Sequence, residues 1–170
     1  MSKKIILITG TTSGIGKELS SYYLGLENLI IAIDRNVNNA FKDKTNFKQV
    51  ITDITDYTKV DNIIKKLIHE NNLPEIFILN AGINIYDNEE FFNVLDFKRC
   101  FDINFYGTFN FVSSIEKNNI INKSIIFFSS TSNIIPNPAA LGYHSSKFLL
   151  KKLSPYLSNK NNYKVAILGP

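Results

Sequence analysis

Four residues of this chain are placed to do chemistry together: Ser129, Ser130, Tyr143 and Lys147. Tyr143 and Lys147 are four apart, so on a helix both side chains project from one face. A cation near a phenol stabilises the phenolate and lowers its pKa, which makes tyrosine a usable general acid/base near neutral pH. Spacing alone is a poor guide. With 8 Tyr and 17 Lys in 170 residues, chance supplies about one Tyr-x-x-x-Lys, and Tyr156 with Lys160 repeats it. The two pairs differ in company. Tyr143 follows a strand ending in Ser129-Ser130 by a short loop, whereas Tyr156 sits beyond Pro155 without such a partner and reads as surface or core filler.

A second constellation lies near the N-terminus. Thr9-Gly10-Thr11-Thr12-Ser13-Gly14-Ile15-Gly16 follows an apolar run and precedes the helix-forming Lys17-Glu18-Leu19-Ser20. Glycine suits such a turn because positive φ is needed and a pyrophosphate reaches backbone amides only where no Cβ intervenes. The helix N-terminus then offers amides and partial positive charge to the anion. The alternative is a tight strand-to-helix turn without a ligand. No Gly-Lys-Ser/Thr ending follows, so this is not an ATP-type loop. Asp34 ends the next apolar run, where a carboxylate would accept from the adenosine ribose hydroxyls and repel a 2′-phosphate. Arg35 pulls the other way, since guanidinium suits phosphate. NAD is therefore favoured over NADP, with a turn or helix cap as the alternative role for Asp34.

The elements that must position these residues are legible as apolar runs alternating with helical periodicity. The runs are Lys4 to Thr9, Leu29 to Ile33, Phe47 to Ile51, Glu75 to Leu79, Ser124 to Ser129 and Tyr163 to Leu168. Most lack alternation, as expected of parallel strands covered on both faces. Val60, Ile63, Ile64, Leu67 and Ile68 form one helical stripe, with Thr55 and Asp56 as capping candidates and Pro74 as the break before the next strand. This alternation predicts a doubly wound α/β sheet in one domain, residues 1–170. The segment from Phe97 to Ile115 carries more apolar residues than one helix face holds, so it is buried or packs against another chain.

Composition narrows the class. A chain that is 44% hydrophobic and 20% charged reads as a soluble globular protein. No apolar run approaches the roughly 18 residues of a membrane span, and Met1 to Gly10 lacks the long apolar region and cleavage site of a signal peptide. The single Cys100 permits no internal disulfide and fits a reducing, cytoplasmic setting, as a core or interface thiol. The net charge of +4 comes from scattered lysines with only Arg35 and Arg99 beside them, which argues for a solvated surface and against a nucleic-acid face. His69 and His144 have no metal-ligand spacing with any acid or cysteine, so no metal is expected.

Together these motifs resemble the short-chain dehydrogenase/reductase family, from Thr9 to the last residue. The Thr9 to Gly16 loop resembles that family's cofactor loop, and Asp53-Ile54 its adenine-contacting pair after the third strand. Asn80-Ala81-Gly82 resembles its Asn-Asn-Ala-Gly turn, with Leu79 in place of the first Asn. Asn104 with Gly107 resembles its helix Asn, and Ser130 stands thirteen residues before Tyr143, the family's spacing, which selects it over Ser129. The resemblance implies a Rossmann-type sheet in the order 3-2-1-4-5-6 and hydride transfer between a nicotinamide and a carbonyl or secondary alcohol. It implies that Thr12, Ser13 and Ile15 of the loop, with the residues above, bind the dinucleotide. Tyr143 would exchange the proton, Lys147 would hold the nicotinamide ribose, Ser130 would bond the substrate oxygen, and Asn104 would hold a water linking Lys147 to solvent.

Pro170 falls where the family has the Pro of a Pro-Gly turn after its sixth strand, and it too is expected at the cofactor. Members usually run to roughly 250 residues, so the expectation is a domain without its seventh strand and substrate lid, its sixth strand an open edge. Two functions follow: an oxidoreductase, or a non-catalytic NAD-binding or interaction module. The helices around Phe97 to Ile115 and Tyr143 to Leu153 resemble the family's dimerising pair, implying a homodimer or homotetramer. The loops Ile83 to Asn88 and Asn133 to Ala140 would line the substrate pocket without choosing a substrate.

Overall fold

A computed structural model describes residues 3–86, 93–130, 138–160 and 162–169. Its six strands are β1 (Ile5–Thr9), β2 (Leu29–Asp34), β3 (Phe47–Ile51), β4 (Ile76–Leu79), β5 (Ser124–Phe128) and β6 (Lys164–Leu168). They form one all-parallel sheet in the order β3-β2-β1-β4-β5-β6. The helices are α1 (Gly14–Gly25), α2 (Tyr57–His69), α3 (Val94–Cys100), α4 (Gly107–Lys117) and α5 (Leu141–Ser158).

Burial on both faces explains the unbroken apolar strands. Ile6 and Ile8 of β1 pack on one side with Leu24 of α1, and Leu7 between them packs on the other with residues of α2, α4 and α5. Period-two alternation therefore persists, but both phases must be apolar. Each fully buried Leu, Ile or Phe contributes roughly 1.5–3 kcal/mol. The order reverses at β1, from which the chain runs outward to β2 and β3 and then returns to β4. Loops at the carboxyl ends of β1 and β4 diverge there and leave a crevice.

Three local outcomes go beyond the sequence reading. The apolar segment from Phe97 is not one α-helix: a π-helical stretch, Phe101–Tyr106, separates α3 from α4. The wider turn brings Asn104 inward to full burial, where it meets partners outside its own helix. Helix α5 continues through Pro155 to Ser158. The missing N–H removes one helical bond, while buried Leu150 and Leu157 on either side hold the helix to the core. Of the two capping candidates for α2, Asp56 does the capping, accepting from Lys59 N at 3.1 Å.

Asp61 locks α2 to α4. Its buried carboxylate meets Lys65 Nζ at 2.7 Å, Ser114 Oγ at 2.8 Å, Asn118 Nδ2 at 3.1 Å and Lys117 Nζ at 3.3 Å. The Lys65 ammonium first, then the hydroxyl and amide donors, holds this carboxyl far below the usual carboxylate range. No helix among the described residues is long and apolar enough to cross a membrane.

Candidate active site

The crevice at the β1/β4 divergence is a cleft of about 460 Å³. Its floor is the loop between β1 and α1. A Cβ on Gly16 would stand 2.0 Å from Gly10 O, so only glycine lets the helix start this close to the strand end. At Gly14, φ is +54° and nothing lies within 4 Å of where a Cβ would stand, which leaves the turn open toward the cleft. Ser13 precedes α1 without a side-chain cap, and no acidic residue occupies the first turn. The first amides of α1 thus keep their positive end uncompensated. Thr12, Ser13 and Ile15 are exposed around them.

The second wall comes from β4. Asn80 donates through Nδ2 to Thr9 O and Gly10 O, both at 3.1 Å, and Ala81 N donates to Thr9 Oγ1 at 2.9 Å. These bonds join residues some seventy positions apart and set the width between the two loops. The third wall is the stretch after β3. Asp53 Oδ1 accepts from Thr55 N at 2.9 Å and Thr55 Oγ1 at 2.8 Å, while Ile54 is buried against Gly107 of α4. Thr52 beside them lines the cleft with a buried Oγ1 that has no hydrogen-bond partner among the described residues.

Asp34 is the surprise of this region. Its side chain is only 3% exposed. Oδ1 accepts from Thr11 N at 2.5 Å, and Oδ2 accepts from Thr11 Oγ1 at 2.6 Å and Gln49 Nε2 at 2.8 Å. Arg35 and Asn36 follow it along the cleft, both exposed.

At the far end of the cleft lies a buried lysine. Lys147 is 4% exposed, donates to Phe128 O at 2.9 Å, and reaches within 3.2 Å of where a Cβ on Gly82 would stand. Burial pushes its ammonium down to about 8. Tyr143, half-buried one turn earlier on α5, has its ring centroid 5.9 Å from Lys147 Nζ. Asn104 Oδ1 accepts from Ile83 N at 2.7 Å, and its Nδ2 donates to Ile83 O at 2.9 Å and Ser146 Oγ at 3.0 Å. Ser146 Oγ donates to Tyr143 O at 2.7 Å. Asn104 therefore ties the turn after β4 to the helix carrying Tyr143, and both its amide hydrogens are used. Ser130 is half-buried just past the carboxyl end of β5.

The cleft thus unites the glycine loop, Asp34, Arg35, Asp53, Ile54 and the Asn80–Gly82 turn. Lys147 and Asn104 stand directly behind Gly82. Ser130 and Tyr143 do not line this cleft, and Pro170 lies outside the described residues, as do residues 87–88 and 133–137 of the two loops expected to frame a substrate. Thr11, Gln49, Asn38, Thr52 and Ser146 were not singled out by sequence. Each acts through partners distant in the chain or on a neighbouring element, and no local pattern marks such a residue.

The short chain dehydrogenase family signature matches residues 4–168, and the chain belongs to that family. An uncharacterised oxidoreductase of Schizosaccharomyces pombe is 27% identical over 171 residues, covering 95% of this chain and 57% of the relative. Among solved structures, a short chain dehydrogenase of Leptospira borgpetersenii with bound NAD+ superposes with a TM-score of 0.91 at 22% identity, covering 100% of this chain and 71% of that one. A 4-hydroxyisoleucine dehydrogenase complexed with NADH and succinate gives a TM-score of 0.85 at 27% identity, covering 97% and 78%. The chain spans little more than half the length of the first curated relatives it matches.

Proposed function

We propose that this chain binds NAD, in preference to NADP, and carries the groups for hydride transfer to or from a carbonyl or secondary alcohol carbon. The observation that carries this reading is the placement of Lys147 Nζ, buried and immediately behind Gly82, where the dinucleotide cleft ends. Three features suit the cleft to a dinucleotide: the open turn at Gly14, the uncapped helix N-terminus, and the buried Thr52 hydroxyl with no partner among the described residues. The 4-hydroxyisoleucine dehydrogenase at 27% identity was solved with NADH, which supports the same cofactor here. When bound, the nicotinamide supplies or accepts the hydride.

In this reading Gly10, Thr12, Ser13, Gly14 and Ile15 cradle the pyrophosphate, Gly16 permitting the approach. Asp53 and Ile54 border the adenine, and Asn80 to Gly82 hold the turn over which the nicotinamide ribose rests. Lys147 donates to that ribose and, as a cation, favours the phenolate of Tyr143. Tyr143 moves a proton to and from the substrate oxygen, which Ser130 steadies by a hydrogen bond. Asn104 keeps the Gly82 turn seated over Lys147, and its oxygens accept from a water that links Lys147 to solvent. Self-association fits the exposed Tyr106 of the π-helical stretch and Phe109 of α4, with the exposed Phe148 and Leu149 on α5. Light scattering at micromolar concentration should give a dimer or tetramer, and a monomer overturns that part.

The test is direct. Calorimetric titration should show NAD binding, and a panel of ketones should include some that oxidise NADH. Binding without any turnover would make the chain a nucleotide-binding module rather than an enzyme; no binding would remove the reading altogether.

A further inference from the structure

The Asp34 carboxylate is wired into a closed ring of side chains. Gln49 Nε2 donates to Asp34 Oδ2 at 2.8 Å and to Asn36 O at 3.1 Å, while Gln49 Oε1 accepts from Asn38 N at 3.0 Å. Asn38, itself 5% exposed, donates through Nδ2 to Thr11 O at 2.7 Å and Thr11 Oγ1 at 3.3 Å, and accepts from Ala40 N at 3.0 Å. Thr11 closes the ring by donating to both oxygens of Asp34. Four pieces of chain meet here: the phosphate-loop turn, the end of β2, the segment after it, and the middle of β3.

We propose that Gln49, acting with Thr11 and Asn38, is a positioning residue that sets how Asp34 faces the adenosine ribose and thereby selects NAD over NADP. This rests on the nucleotide-binding reading above. The physical argument has three parts. First, three neutral donors satisfy the carboxylate, and among the described residues no Lys or Arg pairs with it. Its negative charge therefore stays uncompensated in a poorly solvated wall, where it acts at greater range than in water. A ribose 2′-hydroxyl tolerates that wall; a 2′-phosphate is repelled by it. Second, Arg35 is exposed immediately beside it and attracts phosphate. Selection thus depends on keeping the carboxylate fixed at the wall, because a carboxylate free to swing out would be screened by solvent or paired with Arg35. Third, among the described residues the bonds that fix it come from Thr11 and Gln49 alone. Gln49 also holds Asn36 and Asn38, so it sets the chain that follows Asp34 and Arg35 along the cleft.

The readout is the ratio of NADP to NAD dissociation constants, measured by calorimetry on the whole chain. General loosening of the cleft weakens both nucleotides alike and leaves the ratio unmoved; loss of carboxylate positioning moves it. Gln49→Leu removes one donor to Oδ2, and the ratio should fall roughly three- to ten-fold toward NADP, the loss of one charge-assisted bond. Thr11→Val removes the other donor to Oδ2 at nearly constant shape, and should shift the ratio the same way. That second variant keeps the test alive if the first fails to fold. An unchanged ratio in a folded variant that still binds NAD overturns the role of Gln49. Failure of the unmutated chain to bind either nucleotide overturns instead the reading beneath it.

Discussion

Helix α5 and the residues just beyond it carry the same four-residue spacing twice, with opposite surroundings. Lys147 is buried, bonds a backbone carbonyl and stays 5.9 Å from the Tyr143 ring centroid. Lys160 lies near the surface, bonds the Tyr156 hydroxyl directly, and meets Glu116 Oε1 at 3.5 Å. Burial pushes the first ammonium down to about 8, whereas the Tyr156 hydroxyl and the Glu116 carboxylate raise the second above the usual lysine range. One pair holds its cation in reserve beside an open cleft; the other spends it on a surface contact between helix ends. In the proposed function, environment rather than spacing separates the pair that transfers a proton from the pair that does not.

The largest expected break in that comparison is Lys147→Met. Activity with NADH and a responsive ketone should fall by about 100-fold or more, while Lys160→Met should stay within roughly two-fold. Equal losses in the two variants would erase the distinction between the two pairs.

Stability against pH sharpens it further. The folded chain releases the Lys147 proton near pH 8, while the unfolded chain holds it to the ordinary lysine value of 10.5. Between these values the unfolded state binds more protons, so stability contributed at this site rises with pH across the window. Denaturant unfolding should show the unmutated chain gaining on Lys147→Met between pH 8 and 10.5, by an amount on the order of 3 kcal/mol. A flat difference across that window would contradict the burial account. For Lys160 the sign is reversed, because its partners favour the cation.

A smaller effect tests whether a buried charge is by itself a mark of function. Asp61 is as buried as Lys147 but is met by four donors and stands away from the cleft. Asp61→Ala should cost about 2 kcal/mol of stability while leaving activity per folded molecule unchanged. The native contribution is present above the ordinary carboxylate range and is lost as pH falls toward the depressed folded value, so acid unfolding should narrow the gap. A variant that is stable yet inactive would place Asp61 in the reaction instead.

Much of this was legible in the sequence because it is written locally. Buried parallel strands need apolar residues on both faces, so β1, β2 and β4 stood out as unbroken runs; the alternation with helices gave the doubly wound class, and only the family resemblance implied the strand order. The glycine loop was legible because tight turns and close approaches admit few residues. What escaped depends on contacts across the chain. Gln49 on a strand reads as a solvent-facing residue until Asp34, fifteen positions earlier, turns toward it. The π-helical stretch at Asn104 arises beside Ile83 and Ser146, which no window around Asn104 contains. Pro155 leaves α5 unbroken because packing at Leu150 and Leu157 outweighs one lost helical bond.

The central claim is that the first tyrosine of the two does the chemistry. Tyr143→Phe and Tyr156→Phe each remove one hydroxyl from the same spacing on the same helix. Measured side by side at saturating NADH and ketone, the first should lose essentially all turnover while still binding NAD, and the second should match the unmutated chain. Turnover that survives in Tyr143→Phe, or disappears equally in Tyr156→Phe, would contradict the account.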